Sequence, residues 1–345
     1  MVRRALFASL ALAPVVILLH YVADIGDVAE FGLAAVALIP LAWLIGEATE
    51  HAGEHTGPGI GGFLNATFGN APELIIALIA VNEGLNEVVR GSLTGSVIGN
   101  LLLVLGFSLL FGGHGALDRW SSFFSFALVA VSVVLFLVVA IPGWDGDPER
   151  DSLADLSLVV SLVLLVVYVA ATWYSLRRHA GLHVASGEEI RGWSFRTALL
   201  ALGVATVATG FVAEILVGSL ETFSEEAGLS EFFVAAVIVA IVGNAAEHGG
   251  AVVVAYRGKI KLAAEIALAS AAQVAVFLIP AVAVLSWLIE PLALSFRVVE
   301  IVVLAGALAF TALVLVGGQS SRLRGAALIA AYVVAAVAFF IAGDR

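Results

Sequence analysis

Cysteine is absent from all 345 residues, which excludes disulfides, thiolate metal sites and cysteine nucleophiles. Charge is scarce as well. Only 12% of residues are Asp, Glu, Lys or Arg, about half the roughly 25% of an ordinary soluble domain. The formal net charge of −11 argues against nucleic acid as a partner. What fills the chain instead is apolar: 61% hydrophobic residues and a mean hydropathy of +1.09. This is the composition of a polytopic membrane protein, whose partner is the lipid bilayer.

Polar breaks divide the chain into about eleven candidate spans, each near the roughly 20 residues that cross a hydrocarbon core. They fall at 5–21, 28–47, 62–81, 92–112, 120–141, 153–175, 196–220, 231–255, 262–288, 293–316 and 324–342. The first follows Arg3 and Arg4 as a signal peptide would, but Asp24 to Asp27 replaces the small-residue cleavage pattern, so a retained helix is expected. Short cytoplasmic loops hold the excess of Lys and Arg. With the N-terminus inside, 12 of the 16 basic residues are cytoplasmic and only Arg90, Arg150, Arg297 and Arg345 lie outside. The C-terminus is then external, and the acidic segments 145–151 and 221–231 are outer loops.

Two matching clusters stand out within these apolar runs: Gly69-Asn70-Ala71-Pro72-Glu73 and Gly243-Asn244-Ala245-Ala246-Glu247. A carboxylate near the bilayer centre costs about 2.5 kcal/mol or more on insertion scales, so two in matching contexts point to a site for a cation. Gly69 and Pro72 loosen a helix and free carbonyls; the second cluster lacks the proline, which leaves a break there less expected. Two carboxylates, the Asn70 and Asn244 amides and freed carbonyls at Gly69 and Gly243 supply oxygen ligands suited to calcium, and the two charges neutralise it. The competing reading is helix packing through small residues.

Glu73 and Glu247 lie 174 positions apart, and the same offset carries Gly69 onto Gly243, Asn70 onto Asn244 and Ser96 onto Ser270. Glu73 falls in the third span and Glu247 in the eighth, an offset of five spans, so the second copy enters the membrane from the opposite side. The expected fold is therefore all-α: an N-terminal helix in 1–27, a five-helix repeat in 28–175, a cytoplasmic linker in 176–195 and an inverted five-helix repeat in 196–345. Inverted repeats are typical of secondary transporters, whose sites lie at the midplane where the halves meet.

The run from Gly69 to Leu78 with Gly95 to Gly106, and the run from Gly243 to His248 with Ser270 to Pro280, resemble the paired signature repeats of the calcium/proton exchangers, within the cation/calcium antiporter superfamily. The likeness extends back through Ala48-Thr49-Glu50 and residues 61–68. It implies exchange of Ca2+ for H+ by alternating access, with extrusion of cytoplasmic calcium across the cell membrane and no cofactor beyond the transported ion. Glu73 and Glu247 would coordinate calcium, and Glu50 and Glu214 would be the acidic residues of paired gating helices. Two departures are present: Gly99 replaces a serine common in the family, and the linker carries only Glu188-Glu189 where some members have an acidic run. Sodium in place of the proton, or another divalent cation, is the alternative within the superfamily, and a homo-oligomer is compatible with all of this.

Other polar residues are open to two readings each. His248 either titrates with the cycle or orients Glu247. Asn100 and Gln273, with Ser96 and Ser270, either line the cavity or hydrogen-bond between helices. Arg297 and Glu300 have the spacing of an intrahelical ion pair. A different class is represented by His51-Ala52-Gly53-Glu54-His55, which matches the H-x-x-E-H pattern of zinc hydrolases. The helix presenting both histidines is expected to end at Thr56-Gly57-Pro58, however, and no third ligand is evident. A channel is disfavoured because a carboxylate pair in inverted halves suits alternating access better than a continuous pore.

Overall fold

A computed structural model describes residues 2–23, 25–179 and 192–344; the side chains of 2–5, 57–63, 65–66, 175–179, 246 and 248 lie outside the description. The chain is a helical bundle. In order it contains α1 (Val2–Ser9), α2 (Leu12–Val22), α3 (Asp27–Phe68), α4 (Ala71–Asn82), α5 (Asn86–Ile98), α6 (Leu105–Gly112), α7 (Arg119–Gly143), α8 (Asp151–His179), α9 (Phe195–Gly218), α10 (Leu220–Ala227), α11 (Glu231–Phe233), α12 (Ala240–Gly243), α13 (Ala245–Tyr256), α14 (Ile260–Gln273), α15 (Ile279–Leu285), α16 (Val298–Leu315) and α17 (Arg322–Ala342). Wider π turns at Gly99–Val104, Val234–Val239 and Val274–Leu278 join α5 to α6, α11 to α12 and α14 to α15.

Among the described residues, eight helices are long and apolar enough to cross a membrane, or nine if the bent pair around residue 229 is one span. The expected eleven include three that are not single long helices. The first is a shorter apolar helix, Leu6–Val22. The third divides between the end of α3 and α4, and the eighth divides at Asn244. Conversely, α3 runs unbroken for 42 residues, straight through the Gly- and Pro-rich stretch at 57–62 where a helix end was expected. At 1.5 Å per residue it is about 63 Å long, more than the full ~45 Å of a bilayer with its headgroups. Its partner along the bundle is α9.

Burial separates scaffold from lipid face. Every residue from Val88 to Leu102 is buried, which places α5 at the centre, whereas α8, α16 and α17 show Val166, Leu313 and Ile341 to the surroundings. Small residues set the central crossing. A methyl group on Gly95 would collide with the Ala236 carbonyl and sit 2.9 Å from Ala240 Cβ, and one on Gly91 would sit 3.2 Å from the Phe232 carbonyl. Close backbone approach of this kind is how membrane helices gain dispersion contacts where lipid removes the hydrophobic drive.

The two ends differ in charge. At the acidic end, Arg90 is buried and bonds Glu149 Oε1 (2.7 Å) and the Ala293 carbonyl (3.1 Å). Arg297 and Glu300 do not form the expected intrahelical pair. Glu300 accepts from the Arg297 backbone N–H (2.7 Å) and from Thr94 Oγ1 (3.1 Å), while the Arg297 guanidinium turns to the carbonyls of Gly343 and Ala342. The free N–H groups of a helix's first turn attract a carboxylate more effectively than a mobile surface pair would. The expected loop at 221–231 contains α10, which is pinned to the start of α3 by Thr222 Oγ1 on Asp27 Oδ2 (2.8 Å) and by stacking of Phe223 on Phe31 (4.1 Å). At the basic end a two-residue antiparallel ribbon pairs Gly115 with Ser320 and Ala116 with Gln319. Asp118 caps α7 beside it, accepting from the N–H groups of Trp120 and Ser121 and pairing with Lys261 (2.9 Å).

Candidate functional site

Both Gly-Asn-Ala-x-Glu clusters are helix breaks. Asn70 (φ −99°, ψ 16°) is the residue before α4, and Asn244 (φ −84°, ψ 7°) is the residue before α13. The second break forms without a proline because Asn244 supplies its own alternative bonding: its Nδ2 donates to the Ala240 carbonyl (2.9 Å) and to Ser96 Oγ of α5 (2.7 Å). Short amide side chains compete with the helical ladder in this way. In both cases the glutamate is the third residue of the new helix, where the N-terminal dipole favours a carboxylate. In general the last turn of a helix has carbonyls that no following turn satisfies.

The structure brings most of the expected ligands together. Glu73, Asn70, Asn244, Ser96, Asn100 and Ser270 are all buried. Glu73 lies directly on the second cluster: a Cβ on Gly243 would be 3.0 Å from Glu73 Cγ and 3.5 Å from Cδ. Its carboxylate and that of Glu247 are within electrostatic reach of each other. Asn100 Nδ2 donates to Asn244 Oδ1 (3.2 Å) and to Ser270 Oγ (2.8 Å), and Ser270 in turn donates to Glu247 Oε2. Asn100 and Ser270 therefore form interhelical hydrogen bonds beside the two clusters. Glu73 Oε2 and Asn100 Oδ1 are buried acceptors with no hydrogen-bond donor among the described residues. A cation is the species that satisfies such oxygens, and amide, hydroxyl, carbonyl and carboxylate oxygens are the donor set of a hard one.

Other expected residues are less enclosed. Gln273 is half-buried on α14, and Gly69 is half-buried beside the first break. Glu50 is exposed on α3. Glu214 is exposed on α9 and lines a separate cavity of about 290 Å³ with His20, Asp27, Glu30 and Glu83. The backbone of His248 belongs to α13, and its side chain lies outside those described. The cavity's His20, Asp27 and Glu30 were missed because they come from α2 and the start of α3, which look like terminal surface in sequence.

The zinc-hydrolase reading of His51, Glu54 and His55 fails. The helix continues past them, but His51 sits between Glu47 (3.5 Å) and Glu54 (3.3 Å), while His55 turns to the Trp193 carbonyl (2.8 Å). Among the described residues no three His, Cys, Asp or Glu side chains converge as a metal centre needs.

Two broken helices that bring buried Glu73 and half-buried Glu247 together among other oxygens have the arrangement typical of secondary transporters, in which unwound backbone and half-helix ends face the transported ion. The chain belongs to the sodium/calcium exchanger protein family, which matches it over residues 28–177 and 197–341. It is 37% identical over 328 residues to the Ca(2+)/H(+) antiporter ChaA of Bacillus subtilis, covering 90% of this chain and 92% of that protein. It is 38% identical over 336 residues to the vacuolar cation/proton exchanger 1a of Oryza sativa, covering 90% of this chain and 74% of that one. The solved structure of native YfkE superposes with a TM-score of 0.84 at 33% identity, covering 97% of this chain and 99% of that chain.

Proposed function

We propose that this protein is an ion antiporter that exchanges Ca2+ for H+ by alternating access, extruding calcium from the cytoplasm across the cell membrane. The observation that carries the reading is the packing of Glu73 against Gly243 within electrostatic reach of Glu247, which brings carboxylates from two separate broken helices into one neighbourhood. Together they neutralise a divalent ion, and Asn70, Asn244 and carbonyls at the breaks complete a set of oxygens. Kinship with proteins described as Ca(2+)/H(+) antiporters supports the proton as the counter-ion. Segments 28–175 and 196–345 act as inverted halves. The like conformation of the Asn70 and Asn244 breaks, one per half, supports that division.

In the cycle, calcium enters from the cytoplasmic side while Glu73 and Glu247 carry charge. The long helices α3 and α9 then shift against the scaffold built on α5. Protons arriving from the opposite side neutralise the carboxylates, and a neutral pair no longer holds the ion. Glu50 and Glu214, one on each moving helix, accept protons along the way, with His248 beside Glu247. The basic end faces the cytoplasm because it gathers Arg119, Lys259, Lys261, Arg322 and Arg324.

The test is calcium uptake into inverted vesicles driven by an imposed proton gradient, repeated with a sodium gradient. Proton-driven uptake that Glu73→Gln and Glu247→Gln each abolish, with melting behaviour preserved, is the expected result. Uptake driven by sodium alone, or transport surviving either substitution, would contradict the proposal.

A further inference from the structure

The helix preceding the first half has no place in the exchange cycle as described, yet it reaches one of the moving helices through a titratable bond. His20, near the end of α2, places Nδ1 2.9 Å from Glu30 Oε2 on α3. Both residues line the 290 Å³ cavity at the acidic end, together with Asp27 of α3, Glu83 following α4, Glu214 of α9 and the neutral Tyr21. Four carboxylates from three elements thus surround one imidazole. The same end of α3 is also tied to α10 by the Thr222 bond to Asp27 and the Phe31–Phe223 stack. The acidic end of α3 is therefore joined to both α2 and α10, and the α2 contact is the one that includes an imidazole.

We propose that His20 is a proton-operated latch that holds the acidic end of α3 closed against α2 and α9. Imidazole is the side chain whose charge changes between about pH 5 and 8. Neutral His20 makes an ordinary hydrogen bond with Glu30. Protonated, it makes a charge-assisted one and offsets the mutual repulsion of Asp27, Glu30, Glu83 and Glu214, drawing α3, α4 and α9 together around the cavity. Loss of the proton returns four like charges to one space and loosens it. Acid on this side of the membrane thus slows opening toward that side, and the latch acts on the gate without touching the ion site. Its effect on flux rests on the alternating-access reading; the closure itself does not.

The chain's lack of cysteine supplies the assay. Gly218 lines the cavity, and a Cβ there meets nothing within 4 Å, so Gly218→Cys introduces a unique reporter thiol. Its reaction with N-ethylmaleimide is followed from pH 5.5 to 8 in the full-length protein in nanodiscs, with and without His20→Gln. Dividing the rate with His20 intact by the rate with His20→Gln cancels the thiol's own titration. That ratio should be near one at pH 8 and fall roughly two- to fivefold at pH 5.5, the size of a partly exposed ion pair. Glu30→Gln should flatten the same profile, and His20→Lys should hold labelling low throughout. A ratio independent of pH overturns the latch. A ratio that rises with acid also overturns it, because an imidazolium acting only through its field makes the thiol more reactive. These measurements need no transport, so they stand or fall apart from the exchange reaction.

Discussion

Replacing Gly243 with alanine separates a fault in the ion site from a fault in the fold. The new Cβ would sit 3.0 Å from Glu73 Cγ and 3.8 Å from its Oε1. Carbon contacts settle at about 3.5–4.0 Å, so the Glu73 side chain must recede by roughly 0.5 Å. Overpacking costs about 1–3 kcal/mol, and a side chain that can swing away puts this case near the low end. A displacement cost of ~1.4 kcal/mol borne by the ligand is a tenfold loss of calcium affinity. Stability should hardly move, because Gly243 closes α12 with no positive φ and alanine is the better helix former by about 1 kcal/mol. The companion Gly95→Ala strikes the Ala236 carbonyl, a backbone atom that can yield only if two helices part. It should cost ~3 kcal/mol of stability or more. The calcium dependence of proton-driven uptake, beside the melting temperature of each variant in detergent, reads both effects. Wild-type affinity in Gly243→Ala, or melting of that variant as low as Gly95→Ala, would refute the placement of Glu73 against the second break.

Two further outcomes follow from residues away from the site. The Asp118 carboxyl is held below its usual range by the Ser121 N–H and then by Lys261, so its contribution is present above the unfolded carboxyl pKa and is lost as pH falls through the lower folded value. Asp118→Ala should cost about 0.5–2 kcal/mol at neutral pH through loss of the α7 cap, and thermal melts against pH should show the gap closing only in acid. His51→Ala with His55→Ala should leave calcium exchange largely intact and remove no bound zinc, measured by flux and metal analysis on one preparation.

The buried carboxylate cluster was legible in the letters, as was the all-helical membrane fold, but the packing around the cluster was not. Burying Glu73 and Glu247 in apolar runs is expensive enough that the sequence itself marks them, and a shared 174-residue offset joins them without any coordinates. The Ser96 and Ser270 partnership with the clusters follows from the same offset. Other features depend on neighbours that local spacing does not reveal. Asn244 breaks its helix because Ser96 and the Ala240 carbonyl receive its amide, not because of an adjacent proline. Helix α3 persists through a Gly- and Pro-rich stretch that propensity would end, with α9 packed along it, as tertiary context commonly overrides propensity. Arg297 leaves Glu300 for carbonyls some 45 positions away. The surroundings of Glu214 come from four stretches of chain, and no periodicity links them.

The split origin of the carboxylate cluster bears on how the protein is made. Glu73 and Asn70 leave the ribosome 174 residues before their counterparts Glu247 and Asn244, which at about 5–20 residues per second is roughly 10–35 s. Throughout that interval the Gly243 neighbour of Glu73, and the α13 carboxylate beyond it, are still untranslated. The Gly91 and Gly95 surface of α5 likewise waits for residues 232–240 before anything can pack on it. The polar cluster is therefore completed only late in synthesis, and until then Glu73 is a carboxylate in an apolar run without the neighbours that surround it in the finished protein.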